Sequence, residues 1–174
     1  DADAAKLPIN ETLVEIKSVS GNTVTLKTPI THDLNASLTT VKIIDPVENV
    51  KLTDFTLTYD LGVPDPDVIS NTKPAYDGAI SIYMDKTQNA EIQNVKILNA
   101  PSNGIEFRTS LSPHVNNVNI DGAHNKGGEG NGYGIQAAET YYGTFENLDI
   151  QNVRHAFVFS SWHTEVGNTV HILS

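Results

Sequence analysis

The chain has 174 residues, 39% of them hydrophobic and 18% charged, with a formal net charge of −10 and no cysteine. This length suits one domain with a continuous core, whereas the acidity argues against a nucleic-acid partner, which needs clustered Lys and Arg. The lack of cysteine excludes disulfides and thiolate metal sites, and no apolar run reaches the roughly 20 residues of a membrane span. We therefore expect no nucleic-acid partner, no membrane insertion and no cofactor.

Alternation typical of strands, rather than helical periodicity, begins with the first predicted elements. Residues 13–16 (Leu-Val-Glu-Ile) lead to a Ser-Gly-Asn turn at residues 20–22, and residues 24–26 continue as a β-rich run. A Ser-Gly-Asn turn between two such runs predicts a hairpin. We assign residues 1–40 to a lead-in β-hairpin region and residues 41–174 to a second, repetitive region.

An Asn that precedes an alternating strand recurs in the second region. Its members are Asn49, Asn94, Asn117, Asn147 and Asn168. The steps between them are 45, 23, 30 and 21 residues, and the first step is about twice the others, as if one repeat lacks its Asn. Asn tolerates the left-handed backbone of sharp turns, and stacked Asn side chains can bond from one repeat to the next. An ordinary turn Asn without stacking is the alternative.

A second short strand follows the Asn strand in most repeats. These segments are 78–82, 104–107, 134–137 and 156–159. Two strands per repeat without a fixed Leu lattice or four-stranded blades exclude leucine-rich repeats and propellers. A parallel β-helix fits, because each turn adds one strand to each sheet at about 4.8 Å. By alternation, the residues expected to stack inside are Ile80, Ile82, Ile105, Phe107, Ile135, Ala137, Phe157 and Phe159.

The repeat pattern over residues 41–174 resembles the pectate-lyase-like superfamily of right-handed β-helices. Residues 132–135 (Gly-Tyr-Gly-Ile) and 154–157 (Arg-His-Ala-Phe) together resemble bacteriophage tail-spike and tail-fibre β-helices. So does the hairpin that ends at residues 28–30 ahead of residues 46–50. The resemblance implies an all-β, right-handed parallel β-helix (a solenoid) with a preceding hairpin, a polysaccharide partner, a homotrimer, and a virion-tail or extracellular location. We also expect the chain to be a fragment of a longer protein.

The resemblance leaves the activity open, since this scaffold carries lyases, hydrolases, epimerases and non-enzymatic adhesins. The first reading is a tail-spike-like protein that recognises a cell-surface polysaccharide and can degrade it. The second is a secreted bacterial polysaccharide lyase or glycoside hydrolase. The third is an adhesive or structural shaft without catalysis.

Outward positions alternate with the interior ones, and some of them gather chemistry that suits a sugar. The alternation predicts one outward row of Ser81, Glu106, Gln136 and Val158, and another of Tyr83, Arg108, Ala138 and Ser160. We expect Glu106 to act as an acid/base and Arg108 as a clamp for an acidic sugar, with Tyr83 and Gln136 as substrate-binding neighbours. The plain alternative is a surface ion pair between Glu106 and Arg108 on a solvated sheet.

Further candidates surround this group. Glycoside hydrolysis needs a second carboxylate, and Asp85 or Glu139 can supply it. His155 suits proton transfer near neutral pH, while Trp162 and His163 can contact a sugar at a strand exit. The alternatives are a buried turn histidine for His155 and a cap over the core edge for Trp162.

Two loops complete the predictions. Residues 121–132 are rich in Gly, so we expect a mobile insertion or, alternatively, a flap that brings His124 or Lys126 beside a groove. Residues 60–67 collect three carboxylates, which calcium favours. Because two prolines stiffen this loop and the EF-hand spacing is absent, we assign no metal to it.

Overall fold

The computed structural model describes residues 11–160 and 165–172, which form an all-β structure with two parallel sheets. The described part contains no helix with the length and hydropathy needed to cross a bilayer. A 3-10 turn, Pro74–Tyr76, precedes β5. The strands of the described part are β1 (Ile16–Ser20), β2 (Thr23–Leu26), β3 (Val47–Glu48), β4 (Lys51–Thr58), β5 (Ile80–Asp85), β6 (Thr87–Gln88), β7 (Glu91–Ala100), β8 (Asn103–Leu111), β9 (His114–Ala123), β10 (Tyr133–Tyr141), β11 (Thr144–Gln151), β12 (His155–Phe159) and β13 (Thr169–Ile172).

The first two strands form an antiparallel hairpin at the turn that the sequence predicts. Ser20 and Thr23 are opposite each other, and Gly21 between them takes φ +57°, a conformation that glycine adopts without strain. Val19 and Val24 are 64% and 52% exposed, so the hairpin buries little apolar surface.

Sheet 1 has the strand order β12-β10-β8-β6-β3, with β5 also paired to β8, and sheet 2 has the order β13-β11-β9-β7-β4. All of these pairs are parallel. Neighbouring parallel strands need a crossover connection, and here each crossover contains a strand of the other sheet. The two short strands predicted in each repeat are therefore one strand from each sheet.

Apolar columns fill the space between the two sheets. In sheet 2 they are Leu52-Ile92-Val115-Phe145-Val170, Phe55-Val95-Val118-Leu148 and Leu57-Ile97-Ile120-Ile150. In sheet 1 they are Ile82-Ile105-Ile135-Phe157 and Met84-Phe107-Ala137-Phe159. The fully buried rings of Phe107 and Phe145 meet edge to face across the interior with centroids 5.8 Å apart. The core therefore lies between the sheets and joins them.

The residues predicted to lie in the interior are on the correct face of their strands, but the burial predicted for two of them is wrong. The buried ones are Ile82, Ile105, Phe107, Ile135 and Ala137, and Phe157 is half-buried and packs against the core. Ile80 pairs with Asn103 at the start of β5 and is only half-buried, because the apolar columns begin two residues later. Phe159 is 52% exposed because β12 is the edge strand of sheet 1.

The recurring Asn marks a bend within the strands of sheet 2. Asn94, Asn117 and Asn147 have φ of 55°, 54° and 54°, the left-handed conformation that Asn tolerates. Asn117 donates from Nδ2 to Oδ1 of Asn94 at 2.8 Å, and Asn94 donates likewise to Asp54 at 2.7 Å. Asn147 bonds to Asn116 instead of Asn117. The predicted repeat-to-repeat stacking is thus present between Asn94 and Asn117 and continues to Asp54, which also has positive φ.

Asn49 and Asn168, which the spacing groups with these residues, lie in other positions. Asn49 is next to Asn89 ahead of the sheet 2 strands, and Asn168 accepts the N–H of Gly143 at 2.7 Å. The long first step in the Asn spacing also has a different cause. Strand β4 pairs directly with β7, so the extra length is the loop at residues 59–79 and not a repeat without its Asn.

Close packing of adjacent strands explains the recurrent glycine in sheet 1. A Cβ on Gly104 would lie 2.4 Å from the carbonyl oxygen of Gly134, and a Cβ on Gly134 would lie 2.5 Å from that of Ala156. Such distances are well inside van der Waals contact, so only a residue without a side chain fits.

The Gly-rich segment at residues 121–132 packs against the loop at residues 59–79, and the predicted mobile insertion is wrong. His124 and Lys126 are only 4% and 1% exposed. Both side chains form hydrogen bonds with backbone carbonyl oxygens of residues 59–79. Neither is available as part of a flap over a groove.

The ammonium of Lys126 lies against the carboxylate-rich residues 60–67. Its Nζ donates to the carbonyl oxygens of Asp65 and Pro66 at 2.9 and 3.1 Å. Among the residues that the structure describes, no group of three His, Asp or Glu side chains is arranged to hold a metal ion. The cation beside residues 60–67 is therefore the ammonium of Lys126.

Candidate functional site

Three neighbouring strands of sheet 1 bring most of the predicted site residues together. Strands β5, β8 and β10 place Tyr83, Glu106 and Gln136 side by side, and Asp85 lies beside Arg108 in the next outward row. Adjacent parallel strands are about 4.8 Å apart, so these five residues lie on one face, here called the sheet 1 face. Gln136 is only 8% exposed, so its predicted position as an exposed substrate-binding residue is wrong, because the neighbouring strands cover it.

The register on β5 differs by two residues from the predicted one. Tyr83, and not Ser81, is next to Glu106, while Asp85, and not Tyr83, is next to Arg108. Side chains alternate with a period of two, so a two-residue shift preserves the face and changes only the neighbours. The sequence pattern alone therefore cannot distinguish the two registers.

Glu106 and Arg108 form a tight pair along β8. Nε and Nη2 of Arg108 donate to the same carboxylate oxygen, Oε1 of Glu106, at 3.0 and 2.7 Å. The Glu106 side chain is 7% exposed, whereas that of Arg108 is 44% exposed. The expected solvated position of Glu106 is therefore wrong, because the guanidinium and the neighbouring strands cover the carboxylate. Only the arginine end of the pair faces the solvent.

The surroundings reinforce the positive charge on Arg108. Its hydrogen bonds to Glu106 raise the pKa of the guanidinium, partial burial opposes this, and electrostatic interactions with Glu106, Tyr83 and Glu139 raise it further. Such charge-assisted bonds are roughly twice as strong as neutral ones. The arginine is thus held in one orientation as a permanent cation.

Tyr83 supplies an aromatic surface beside this cation. The side chain is 50% exposed. Partial burial raises the pKa of its phenol, the negative charges of Asp85 and Glu106 raise it further, and Arg108 lowers it. The phenol remains protonated near neutral pH and can donate a hydrogen bond.

The two candidate second carboxylates differ in their surroundings. Asp85 is 37% exposed in its side chain, and its Oδ2 lies 4.0 Å from Nζ of Lys86. Glu139 accepts the hydroxyl hydrogen of Thr109 at 3.0 Å. Lys86, Thr109 and Glu139 all have positive φ, between 49° and 53°, so the strands bend there and the flat part of the face ends.

The remaining predicted residues lie apart from this group. His155 is exposed at the start of β12, where its ring and that of Tyr133 have centroids 5.6 Å apart. It is two strands and about three residues from Glu106, which corresponds to roughly 14 Å. Trp162 and His163 lie outside the described residues.

One contributor to the face, Lys86, was absent from the sequence predictions, and so was Tyr133, which lies apart from the face. Lys86 comes within 4.0 Å of Asp85 although the residues are consecutive, because the positive φ at Lys86 ends the regular alternation. Tyr133 lies next to His155 at the start of the sheet 1 strands. The only sequence signal for Tyr133 was its position in the Gly-Tyr-Gly-Ile segment, and alternation assigns it no role.

A cleft of about 1350 Å³ lies beyond the bend, between sheet 1 and residues 11–46. Thr87, Gln88, Thr109 and Leu111 line it on the sheet side, and most of its other lining residues are aliphatic. Sugar hydroxyls need hydrogen-bonding partners. The open sheet 1 face, which has such partners, is therefore the better sugar surface.

The arrangement is equipped for hydrogen bonding more than for proton transfer. Arg108 retains N–H groups that Glu106 does not use, Tyr83 offers a hydroxyl, and Asp85 offers carboxylate oxygens. By contrast, the carboxylate of Glu106 is 7% exposed and lies beneath Arg108, so a ligand on this face contacts the arginine and not the carboxylate. The face can hold a polar ligand without any chemical step.

Comparison with family models, with curated proteins and with solved structures finds no significant match for this chain.

Proposed function

We propose that the two sheets are the walls of a right-handed parallel β-helix whose sheet 1 face recognises a cell-surface polysaccharide, in the manner of phage tail-spikes. The alternation of successive strands between two parallel sheets, with in-register apolar columns, supports the solenoid. The function rests on one observation: a half-exposed tyrosine, a fixed guanidinium and a partly exposed carboxylate lie together on two adjacent strands of one face.

Recognition without cleavage fits this geometry better than hydrolysis or elimination. Both reactions need a group that exchanges a proton with the sugar. Oε1 of Glu106 already accepts two bonds from Arg108, and its side chain is 7% exposed. Glu106 on this proposal is a positioning residue for Arg108, so the adhesive reading is preferred to the secreted enzyme.

The biological setting follows from the resemblance to tail-spike β-helices and is part of the same proposal. The protein acts as a homotrimer, in a virion tail or elsewhere outside the cell, with a bacterial surface glycan as its partner. Sedimentation velocity tests the trimer directly, and a monomer at micromolar concentration would contradict it.

The test of function uses the purified protein and immobilised capsular polysaccharides and O-chains from a panel of bacteria. We expect saturable binding to at least one glycan, with no new reducing ends and no unsaturated sugars after prolonged incubation. Failure to bind any glycan in a broad panel would contradict recognition. Release of either product would replace recognition with catalysis.

A further inference from the structure

The charges on the sheet 1 face largely compensate one another. Arg108 donates two hydrogen bonds to Glu106, so the positive charge that faces the solvent has its counter-charge directly beneath it. Asp85, the neighbour of Arg108 on β5, has the ammonium of Lys86 at 4.0 Å. Glu139 is close enough to raise the pKa of Arg108 and adds a further negative charge. The face therefore has no surplus of positive charge.

We propose that the sheet 1 face selects uncharged sugars and discriminates against uronic acids and other acidic sugars. This inference rests on the proposed glycan-binding function and replaces the acidic-sugar clamp expected from Arg108. The reason is that an anionic ligand would need a cation without a counter-charge, and the positive charge of Arg108 is already compensated by the carboxylate of Glu106.

Hydroxyl groups fit the same surface because each of them both donates and accepts a hydrogen bond. A pair of neighbouring sugar hydroxyls can accept from the remaining N–H groups of Arg108 and donate to the Asp85 carboxylate. These two residues lie on adjacent strands, about 4.8 Å apart at the backbone. The exposed ring of Tyr83 provides an apolar surface for the sugar C–H groups. A carboxylate on the sugar would instead meet the carboxylate of Asp85, with the charge of Glu106 directly beneath Arg108, and like-charge contact is how sites reject a wrong ligand.

The experiment compares each acidic polysaccharide of the bacterial panel with its own carboxyl-reduced form, in which every uronic acid has become a neutral sugar of the same linkage. Binding of the wild-type protein is measured at low and at physiological salt. We expect the bound glycans to be neutral ones, or acidic ones that bind at least tenfold more tightly after reduction, with little dependence on salt.

A Glu106→Gln variant tests the stated cause. It keeps the shape of the side chain and leaves the charge of Arg108 uncompensated, so binding to native acidic glycans should rise at least fivefold relative to the reduced forms. Asp85→Asn, at a more exposed position, should shift the preference in the same direction and remains informative if Glu106→Gln fails to fold.

The outcomes separate the two proposals. Tight binding of native acidic glycans by the wild type, lost on carboxyl reduction, would overturn the selection for neutral sugars and leave glycan recognition standing. An unchanged preference in both variants would overturn the charge-compensation argument. No binding to any glycan, native or reduced, would instead contradict the proposed function on which the inference rests.

Discussion

The ion pairs on the outward faces of the two sheets are arranged differently, although both sheets consist of parallel strands. On sheet 2 the ion pairs cross between strands, as between Lys51 and Glu91 at 2.7 Å, where the lysine is 66% exposed. On sheet 1 the pair runs along one strand, and the Glu106 side chain is almost completely buried beneath Arg108. Exposed pairs contribute under about 1 kcal/mol, so those of sheet 2 are ordinary solvated contacts. The sheet 1 face therefore differs from sheet 2 in the burial of one partner of its ion pair, and not in the presence of an ion pair.

The largest expected effect tests whether the inward and outward sides of β8 are correctly assigned. Phe107→Asp places a charge among fully buried side chains, next to Phe145. Loss of a buried Phe costs about 3–5 kcal/mol, and the unpaired charge adds to this. We expect the protein to unfold, as measured by circular dichroism and chemical denaturation.

The matched control is the adjacent residue on the other side of the strand. Glu106→Gln keeps both the size of the side chain and an oxygen that can accept from Arg108. We expect a native far-ultraviolet spectrum and a stability loss below about 2 kcal/mol. Tolerance of the Phe107 variant would mean that the faces are interchanged.

Glycine substitution tests how closely the strands of sheet 1 approach each other. Gly104→Ala would place a Cβ 2.4 Å from the carbonyl oxygen of Gly134, and overpacking of this kind costs about 1–3 kcal/mol. We expect a loss of about 2 kcal/mol in urea denaturation. Gly128→Ala is the control, since its Cβ would meet nothing within 4 Å, and its stability should match that of the wild type.

Sheet 1 also differs from sheet 2 in having packed loops at the start of its strands. Lys126→Met removes the two bonds from Nζ to the carbonyl oxygens of Asp65 and Pro66. Because those carbonyls belong to exposed residues and can turn to water, we expect a loss of only about 1 kcal/mol. Lys96→Met, on the exposed face of sheet 2, should change the free energy of unfolding by less than about 0.5 kcal/mol. Equal effects from the two variants would mean that the hydrogen bonds from Lys126 to Asp65 and Pro66 add no stability.

The contrast between the sheets also shows what the sequence could predict. The alternation of Ile105, Phe107 and Ile135 identifies the buried side because the period of two is a property of any strand. It cannot set the register between β5 and β8, since a shift by two leaves every side chain on its own face. Bends at residues such as Lys86 interrupt the alternation without any sequence signal that distinguishes them.

The burial of Glu106 could not be predicted from the sequence, for a different reason. Alternation places it on the outward side, and charged residues are almost never buried unless they are paired. Its cover comes from neighbouring strands and from the geometry of Arg108, which only the assembled sheet provides. The Gly-rich segment at residues 121–132 is a similar case. Its composition predicts mobility, whereas the distant loop at residues 59–79 supplies the contacts that order it.

The most direct test of the central claim compares one arginine on sheet 1 with one lysine on sheet 2 in the same binding titration. Arg108→Ala should weaken binding to the glycan that the wild type recognises by roughly 1–3 kcal/mol, the scale of lost charge-assisted hydrogen bonds. Lys51→Ala removes a comparable exposed cation and should leave the affinity unchanged. Equal affinities for the wild type and the Arg108 variant, or a loss confined to the Lys51 variant, would contradict the assignment of glycan recognition to the sheet 1 face.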